Sequence, residues 1–412
     1  MPKLREGLLL AAFSLRLAAQ FSGNVPELEA SAQRHLAAKD ANAALVDYER
    51  LAQIVPTSAV YQDQIGFLLA ATKRSSDGIA HFRRATELDP GMAQAWYHLG
   101  VALWLAEKKD AAITAMQKAV ALAPDHADYR FRLGSAYTDT QHYAAAIPEL
   151  ATAAKQLPNT AAIWENLGLA YQQQRRFKEA RDAYRQALAL DPKNRAIRNS
   201  YGQVLVNSGD PDAGLREFRR LLEQEPGDVH LQVNVGWAYI GAGKYQEAIK
   251  ELSELVRVHP ELASAHYNLG VAYKQADDFP HAKTELERAV ELEPTLAEAH
   301  FTLAMTFSDM GDMAKAIEQL RAAVDQRPDY VDAWFRLGSI LKDQGDVDGA
   351  IDALRRSVAL DNTDAGAFNN LGLLLRRKGD LEGAKQAFDK AAAIRKAEAE
   401  QKEKNLRRGT PH

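Results

Sequence analysis

Prolines recur along this chain at one spacing. Pro56, Pro90, Pro124, Pro158, Pro192, Pro226, Pro260, Pro294 and Pro328 each lie 34 residues from the next, and the following slot holds Asn362, another turn residue. Two further series keep the same period. Gly66, Gly100, Gly134, Gly168, Gly202, Gly236 and Gly270 are followed by Ala304, Gly338 and Gly372; Gly78, Ala112, Ala146, Ala180, Gly214, Ala248, Ala282, Ala316, Ala350 and Ala384 form the other. No insertion breaks the register, so one short unit is repeated, and the fold has to be read from that unit. Numbered 1–34 with proline at position 32, eleven units run from 25–58 to 365–398. Only 1–24 and 399–412 lie outside them, too little for a catalytic domain.

Each unit reads as two helices. Apolar residues at positions 4, 7, 8 and 11 follow the i, i+3, i+4, i+7 spacing of one buried helical face, and positions 20, 24 and 27 continue it in a second helix. Glycine in mid-helix costs roughly 0.5–1 kcal/mol relative to alanine, so a recurrent glycine at position 8 needs a return, and close approach of the paired helices supplies one. Proline at 32 stops the second helix. Pro211 and Pro280 fall in the first turn of a second helix, where proline is tolerated. Pro148 sits deeper, at position 22, and predicts a kink or a late helix start. A single unit cannot bury its apolar face, whereas stacked units can, so the expectation is an all-α solenoid in which each unit touches mainly its neighbours.

The fifth unit carries Trp164, Leu167, Gly168, Tyr171, Ala180, Tyr184, Ala187 and Pro192. This spacing resembles the tetratricopeptide repeat, W-x2-L-G-x2-Y, then A-x3-F, then P, with tyrosine in the phenylalanine slot. The resemblance covers 25–398. The first unit is degenerate, with Ala32 in the glycine slot and His35 in the tyrosine slot. The resemblance implies antiparallel helix pairs wound into a right-handed α-solenoid superhelix whose concave face binds peptides.

Composition removes other classes. There is no Cys, which excludes disulfides, Cys-ligated metals and a cysteine nucleophile. Fifty-one Lys and Arg against 55 Asp and Glu leave a formal charge of −4, without the excess positive charge of a nucleic-acid binder. No apolar run reaches the ~20 residues of a membrane span. The pair Gly243–Lys244 lacks the glycine and hydroxyl of a phosphate loop and reads as an inter-helix turn. His266 and His300 share position 4 in adjacent units, the slot filled elsewhere by Trp96, Trp164 and Trp334, and read as packing or surface histidines. No catalytic residue, metal or cofactor is expected.

Function is therefore expected on the stripe that packing leaves free, positions 2, 5, 9 and 12 of the first helix, about 140° around from the core stripe. Position 5 holds Tyr97, Phe131, Tyr267, Phe301 and Phe335; position 9 holds Trp237 and Met305; position 12 holds Trp104. Exposed aromatics of this kind serve as binding hot spots, although a residue at position 5 can equally pack on the neighbouring unit. Position 6 adds the amides Asn166, Asn234, Asn268 and Asn370, with Asn199 one slot earlier. This interrupted ladder resembles the lining of O-GlcNAc transferases, which implies an alternative role as the substrate-recognition or targeting subunit of a glycosyltransferase system whose catalysis lies on another chain. Asp63, Asp128, Glu165, Glu298 and Asp332 make the stripe acidic in places, and Lys274, Lys342, Arg376 and Arg377 gather toward its end. The paired Lys at position 5 and Asn at position 9 by which co-chaperones of this repeat clamp a terminal carboxylate are absent. The leading expectation is a non-catalytic scaffold that binds a protein or peptide partner along units 3–10, with no oligomeric state specified.

At the N-terminus Lys3 and Arg5 precede an apolar stretch over 7–15, with Ala18 and Ala19 after it. That pattern is close to a secretory signal cleaved after Ala19, which would place the mature chain in a periplasm or outside the cell. Glu6 and Arg16 depart from it, and the alternative is a capping helix in a cytoplasmic protein. The charged stretch 399–412 reads as a solvated extension of the last helix, fraying at Gly409.

Overall fold

The computed structural model describes residues 25–72 and 74–408. The expectations for 1–24 and for fraying at Gly409 lie outside the described residues. Among those described there are twenty-two α-helices and no strand. They fall two to a repeat. In repeat 3 the first helix is Ala93–Leu105 and the second Lys109–Leu122; in repeat 9 they are Ala297–Asp309 and Met313–Gln326. The chain divides into two compact units, one ending at Val204 and the other starting at Leu205, inside the helix Arg195–Asn207. Each unit is a stack of helix pairs.

The turn between paired helices has a fixed geometry. Position 15 is left-handed in ten repeats: at Gly209, Gly243, Gly311, Gly345 and Gly379, and also at Lys39, Glu107, Gln141, Arg175 and Asp277, with φ between 56° and 90°. Aspartate at position 16 caps the second helix in several repeats; Asp312 Oδ1 accepts from the Lys315 amide at 3.1 Å and Asp346 Oδ1 from the Gly349 amide at 3.0 Å. Such caps satisfy helix-start N–H groups that have no partner within the helix.

Position 8 faces position 24 of the partner helix. A Cβ added to Gly168 would stand 2.8 Å from the Tyr184 ring, to Gly236 2.5 Å from Leu252, and to Gly338 2.7 Å from Leu354. The glycines are thus where the paired helices approach most closely, as their recurrence implied. The interior is a row of shared clusters. One joins Leu150, Leu167, Ala170 and Ala183 in the first unit, and another joins Leu320, Leu337, Leu354 and Leu371 in the second. Each helix therefore depends on the repeats on either side of it.

Position 4 does more than fill space. Its side chain donates across six residues to the carbonyl of the preceding turn proline in eight consecutive repeats. Trp96, Trp164 and Trp334 use Nε1, at 3.0, 2.8 and 2.9 Å from the oxygens of Pro90, Pro158 and Pro328. Arg130, Arg198 and Gln232 reach Pro124, Pro192 and Pro226 at 2.5, 2.6 and 2.8 Å. His266 and His300 place Nε2 3.1 and 3.0 Å from Pro260 and Pro294. Their Nδ1 atoms meet Glu285 at 2.6 Å and Gln319 at 2.7 Å, so these two buried histidines are structural. Where the proline gives way to Asn362, position 4 is Phe368, which has no donor.

Two expectations are corrected. The late helix start, one of the two alternatives at Pro148, does not occur: the helix runs from Tyr143 to Gln156, fourteen residues like its counterparts. The amide it lacks would have served Ala144, and both residues are exposed, so water can satisfy that carbonyl. Asp63 is not a surface charge on the stripe: it is fully buried, with Oδ1 2.9 Å from His98 Nδ1 of the next repeat. At the other end, the last helix continues through the charged segment to Arg408, with side chains 396–403 exposed.

Candidate functional site

First helices of consecutive repeats touch directly in both units, for example Val229–Gly241 with Ala263–Gln275, whereas consecutive second helices do not meet to that extent. The first helices therefore line the inner side of each stack, and positions 2, 5, 9 and 12 lie on them.

In the first unit the aromatics of this stripe are half-buried and held by neighbours. Tyr97 stacks on Tyr129 with ring centroids 4.6 Å apart. Trp104 packs between the clusters of Leu103 and Met116, with Lys109 over its ring, and Phe131 packs against those of Leu167 and Ile163. Phe67, at position 9 of repeat 2, is 47% exposed and was missed because its repeat departs from the aromatic pattern at position 5, where Asp63 stands. The Asn166 amide donates back to the Ala162 carbonyl at 2.8 Å; Asn199 is half-buried and engaged.

In the second unit Trp237 packs on the cluster of Leu231 and Leu252, and Asn234 beside it is half-buried and engaged. Tyr267 packs against Leu303 and Phe307, and burial pushes its phenol up, offset in part by a hydrogen bond to Thr302. The Asn268 amide, like that of Asn166, turns back to its own helix, to the Ser264 carbonyl at 2.8 Å. Asn370 accepts from Lys342 at 3.4 Å. Phe335 packs on the cluster of Leu337.

Of the twelve expected site residues, Phe301 lines a cleft of about 510 Å³. This cleft opens on the first helices of repeats 8, 9 and 10: Ala263–Gln275, Ala297–Asp309 and Val331–Asp343. Phe301, Met305, Met313 and Ile340 give it apolar walls, and Lys274, Asp309, Arg336, Asp343, Ser308, Ser339 and Gln344 give it polar ones. It exists because two bulky slots are empty. Position 12 is Ser308 where repeat 3 has Trp104, and position 9 is Ser339 where repeat 7 has Trp237.

Phe301 is held in place by Tyr330, 5.0 Å away between ring centroids. The Arg327 guanidinium lies 3.4 Å from the Tyr330 centroid and bonds Glu298 at 2.6 Å. Burial pushes the Tyr330 phenol up to about 12, so it stays neutral in ordinary buffers. Lys274 is paired with Asp309 at 2.8 Å and Asp343 lies 3.5 Å from Lys342. Arg336 is exposed and has no ion pair with a described residue. Ser339 Oγ is buried without a hydrogen-bond partner. A wall with apolar anchors and one uncommitted guanidinium can hold a peptide side chain and its polar neighbours. Arg336, Met313 and Tyr330 were missed by the sequence reading. Arg336 sits in the position of the asparagine ladder, and nothing in the repeat marks the other two.

Helix pairs stacked on a 34-residue period, with a cleft on the inner helices, define a helical-repeat solenoid. The chain belongs to the tetratricopeptide-repeat family. Models described as tetratricopeptide repeat match residues 68–127, 104–162, 301–365 and 344–399, and a further one matches 239–305. The model described as the cytochrome c-type biogenesis protein H TPR domain matches 138–266. No curated protein matches the chain. Among solved structures it is similar to MamA, at 25% identity over 40% of this chain and 97% of that one, with a TM-score of 0.38. MamA 41-end from Desulfovibrio magneticus RS-1 is 23% identical over 42% and 97%, TM-score 0.38. The human IFIT1 dimer with PPP-AAAA is 15% identical over 82% and 91%, TM-score 0.42. Among the described residues no helix is long and apolar enough to cross a membrane.

Proposed function

We propose that this protein is a non-catalytic interaction scaffold that holds a peptide segment of a partner protein in the cleft of repeats 8–10. The observation that carries the reading is the coincidence of the cleft with the stripe. Phe301 and Met305, at positions 5 and 9, form its apolar wall beside the unpaired Arg336. The peptide would seat an apolar side chain against Phe301 and Met305 and set a polar group toward Arg336. Tyr330 fixes the Phe301 ring in advance, which lowers the ordering cost of binding. The other residues of the stripe, Trp237 and Phe335 among them, would extend contact along the second unit.

The glycosyltransferase-subunit reading rests on amides that face a bound chain. Two of them, Asn166 and Asn268, spend a donor on their own helix, so the scaffold reading is preferred. An exported location accompanies the proposal on the strength of the sequence around Lys3, Arg5 and Ala19. Mass spectrometry of the mature chain tests it, with an N-terminus at Gln20 expected and an intact Met1 or Pro2 against it.

The binding test is selection of a displayed random-peptide library on the full chain, followed by affinities of the selected peptides. Phe301→Ala is expected to weaken them by about 2 kcal/mol or more, with a cooperative melt retained. Selection of peptides whose affinity is indifferent to Phe301→Ala would refute the cleft as the site.

A further inference from the structure

The second cleft, of about 470 Å³, lies on a different part of the fold. It is lined by Gln232 and Val235, positions 4 and 7 of repeat 7, and by Glu251, Glu254, Leu255 and Val258 of the second helix of that repeat, Tyr245–Val258. These belong to the packing side of the first helix, so this cleft faces away from the stripe that holds Phe301.

Two local departures from the repeat open it. The second helix of repeat 6, Pro211–Leu222, has twelve residues, where those of repeats 5 and 7, Phe177–Leu190 and Tyr245–Val258, have fourteen. Glu223 and Glu225 follow it, and anions at a helix C-terminus are disfavoured by the helix dipole. Position 4 of repeat 7 is Gln232, where repeats 3, 5 and 10 carry tryptophan. Glutamine keeps the bond to the turn carbonyl but leaves the volume of an indole empty. Val258 is left 53% exposed at the mouth, and a Cβ on Gly227 would meet nothing within 4 Å.

Glu251, Glu254 and His259 line this cleft and no Lys or Arg does; His259 Nδ1 lies 3.5 Å from Glu261. Glu254 is tied to Arg257 of its own helix at 2.5 Å; Glu251 is exposed and has no ion pair with a described residue. An apolar floor beside one unpaired carboxylate, Glu251, is complementary to an aliphatic side chain next to a cation. We propose that the cleft between repeats 6 and 7 is a second docking surface, which takes a Lys- or Arg-bearing segment of a partner protein through an aliphatic anchor. The scaffold would then hold two segments of opposite-facing chemistry at once, one on each side of its first helices.

The test uses the full chain and two fluorescein-labelled dodecapeptides with the same leucine spacing, one with lysine and one with glutamate between the leucines. On the Phe301→Ala chain, in which the cleft of repeats 8–10 is disabled, the lysine peptide is expected to bind and the glutamate peptide not to. Gln232→Trp restores the residue of three other repeats, changes no charge and fills the cleft. It is expected to lower lysine-peptide affinity tenfold or more while the thermal midpoint holds or rises. Glu251→Lys with Glu254→Lys is expected to do the same and decides the matter if Gln232→Trp lowers the midpoint. Phe301→Ala is expected to leave this binding unchanged. The proposal is overturned if the two peptides bind the Phe301→Ala chain alike or if Gln232→Trp, folded, binds the lysine peptide as the parent does. It is also overturned if sedimentation shows a self-association that Gln232→Trp abolishes, for then a second copy fills the cleft.

Discussion

Ser357 is fully buried with its hydroxyl unpartnered, in a slot that is alanine in repeats 3, 4, 5, 8 and 9. A buried donor without an acceptor costs free energy that alanine does not, so Ser357→Ala is expected to raise the unfolding free energy by about 1 kcal/mol in a urea titration. A loss of stability would mean that the hydroxyl has a partner after all. The position-4 latch works in the opposite sense. Trp164→Phe keeps the ring but removes the donor to Pro158, leaving that carbonyl without its partner, and is expected to cost about 1 kcal/mol. Glu165, half-buried next to that tryptophan, has its carboxyl pushed up by burial and then by Asp191. The folded state therefore holds this proton to higher pH than the unfolded chain does. Its contribution to stability is full below the ordinary glutamate range and is lost as pH climbs through the raised value. Glu165→Gln is expected to raise the thermal midpoint at pH 7, with the advantage gone near pH ~4; equal midpoints at pH 7 would contradict this.

At the scale of a helix pair, the close approach and the left-handed turn set the energetics. Gly168→Val would drive a branched side chain into the Tyr184 ring, and a loss of about 1–3 kcal/mol is expected from overpacking. At the turn, Glu107 occupies a left-handed conformation, φ 57°, that side chains disfavour. Glu107→Gly is expected to gain, and Gly345→Ala to lose, up to about 1 kcal/mol in the same titration. The prolines and the position-8 glycines were legible in the sequence because each answers a backbone demand that few residues meet. The donor role of position 4 was not, because Trp, Arg, Gln and His look unlike one another until their N–H groups are seen to converge on one carbonyl. The cleft was legible in part, through Phe301, Met305 and Lys274 on the stripe. It is made by what Ser308 and Ser339 lack, and by Met313 and Arg336 arriving from neighbouring helices, and a strict period makes such positions look equivalent.

At the scale of the chain, eleven units leave only termini outside the repeats, and the surface that packing does not use is where a ligand can be met. Within the second unit the proposed site lies on one part of that surface, the first helices of repeats 8–10. Its apolar walls and single free guanidinium fit the capture of a peptide better than the turnover of a small molecule. Hydrogen–deuterium exchange of the full chain, with and without a peptide selected on it, tests this most directly. Added protection is expected in Ala263–Gln275, Ala297–Asp309 and Val331–Asp343 and in the turn leading to Met313, and not along the rest of the second helices of the same repeats. Protection confined to second helices, or falling entirely outside repeats 8–10, would contradict it.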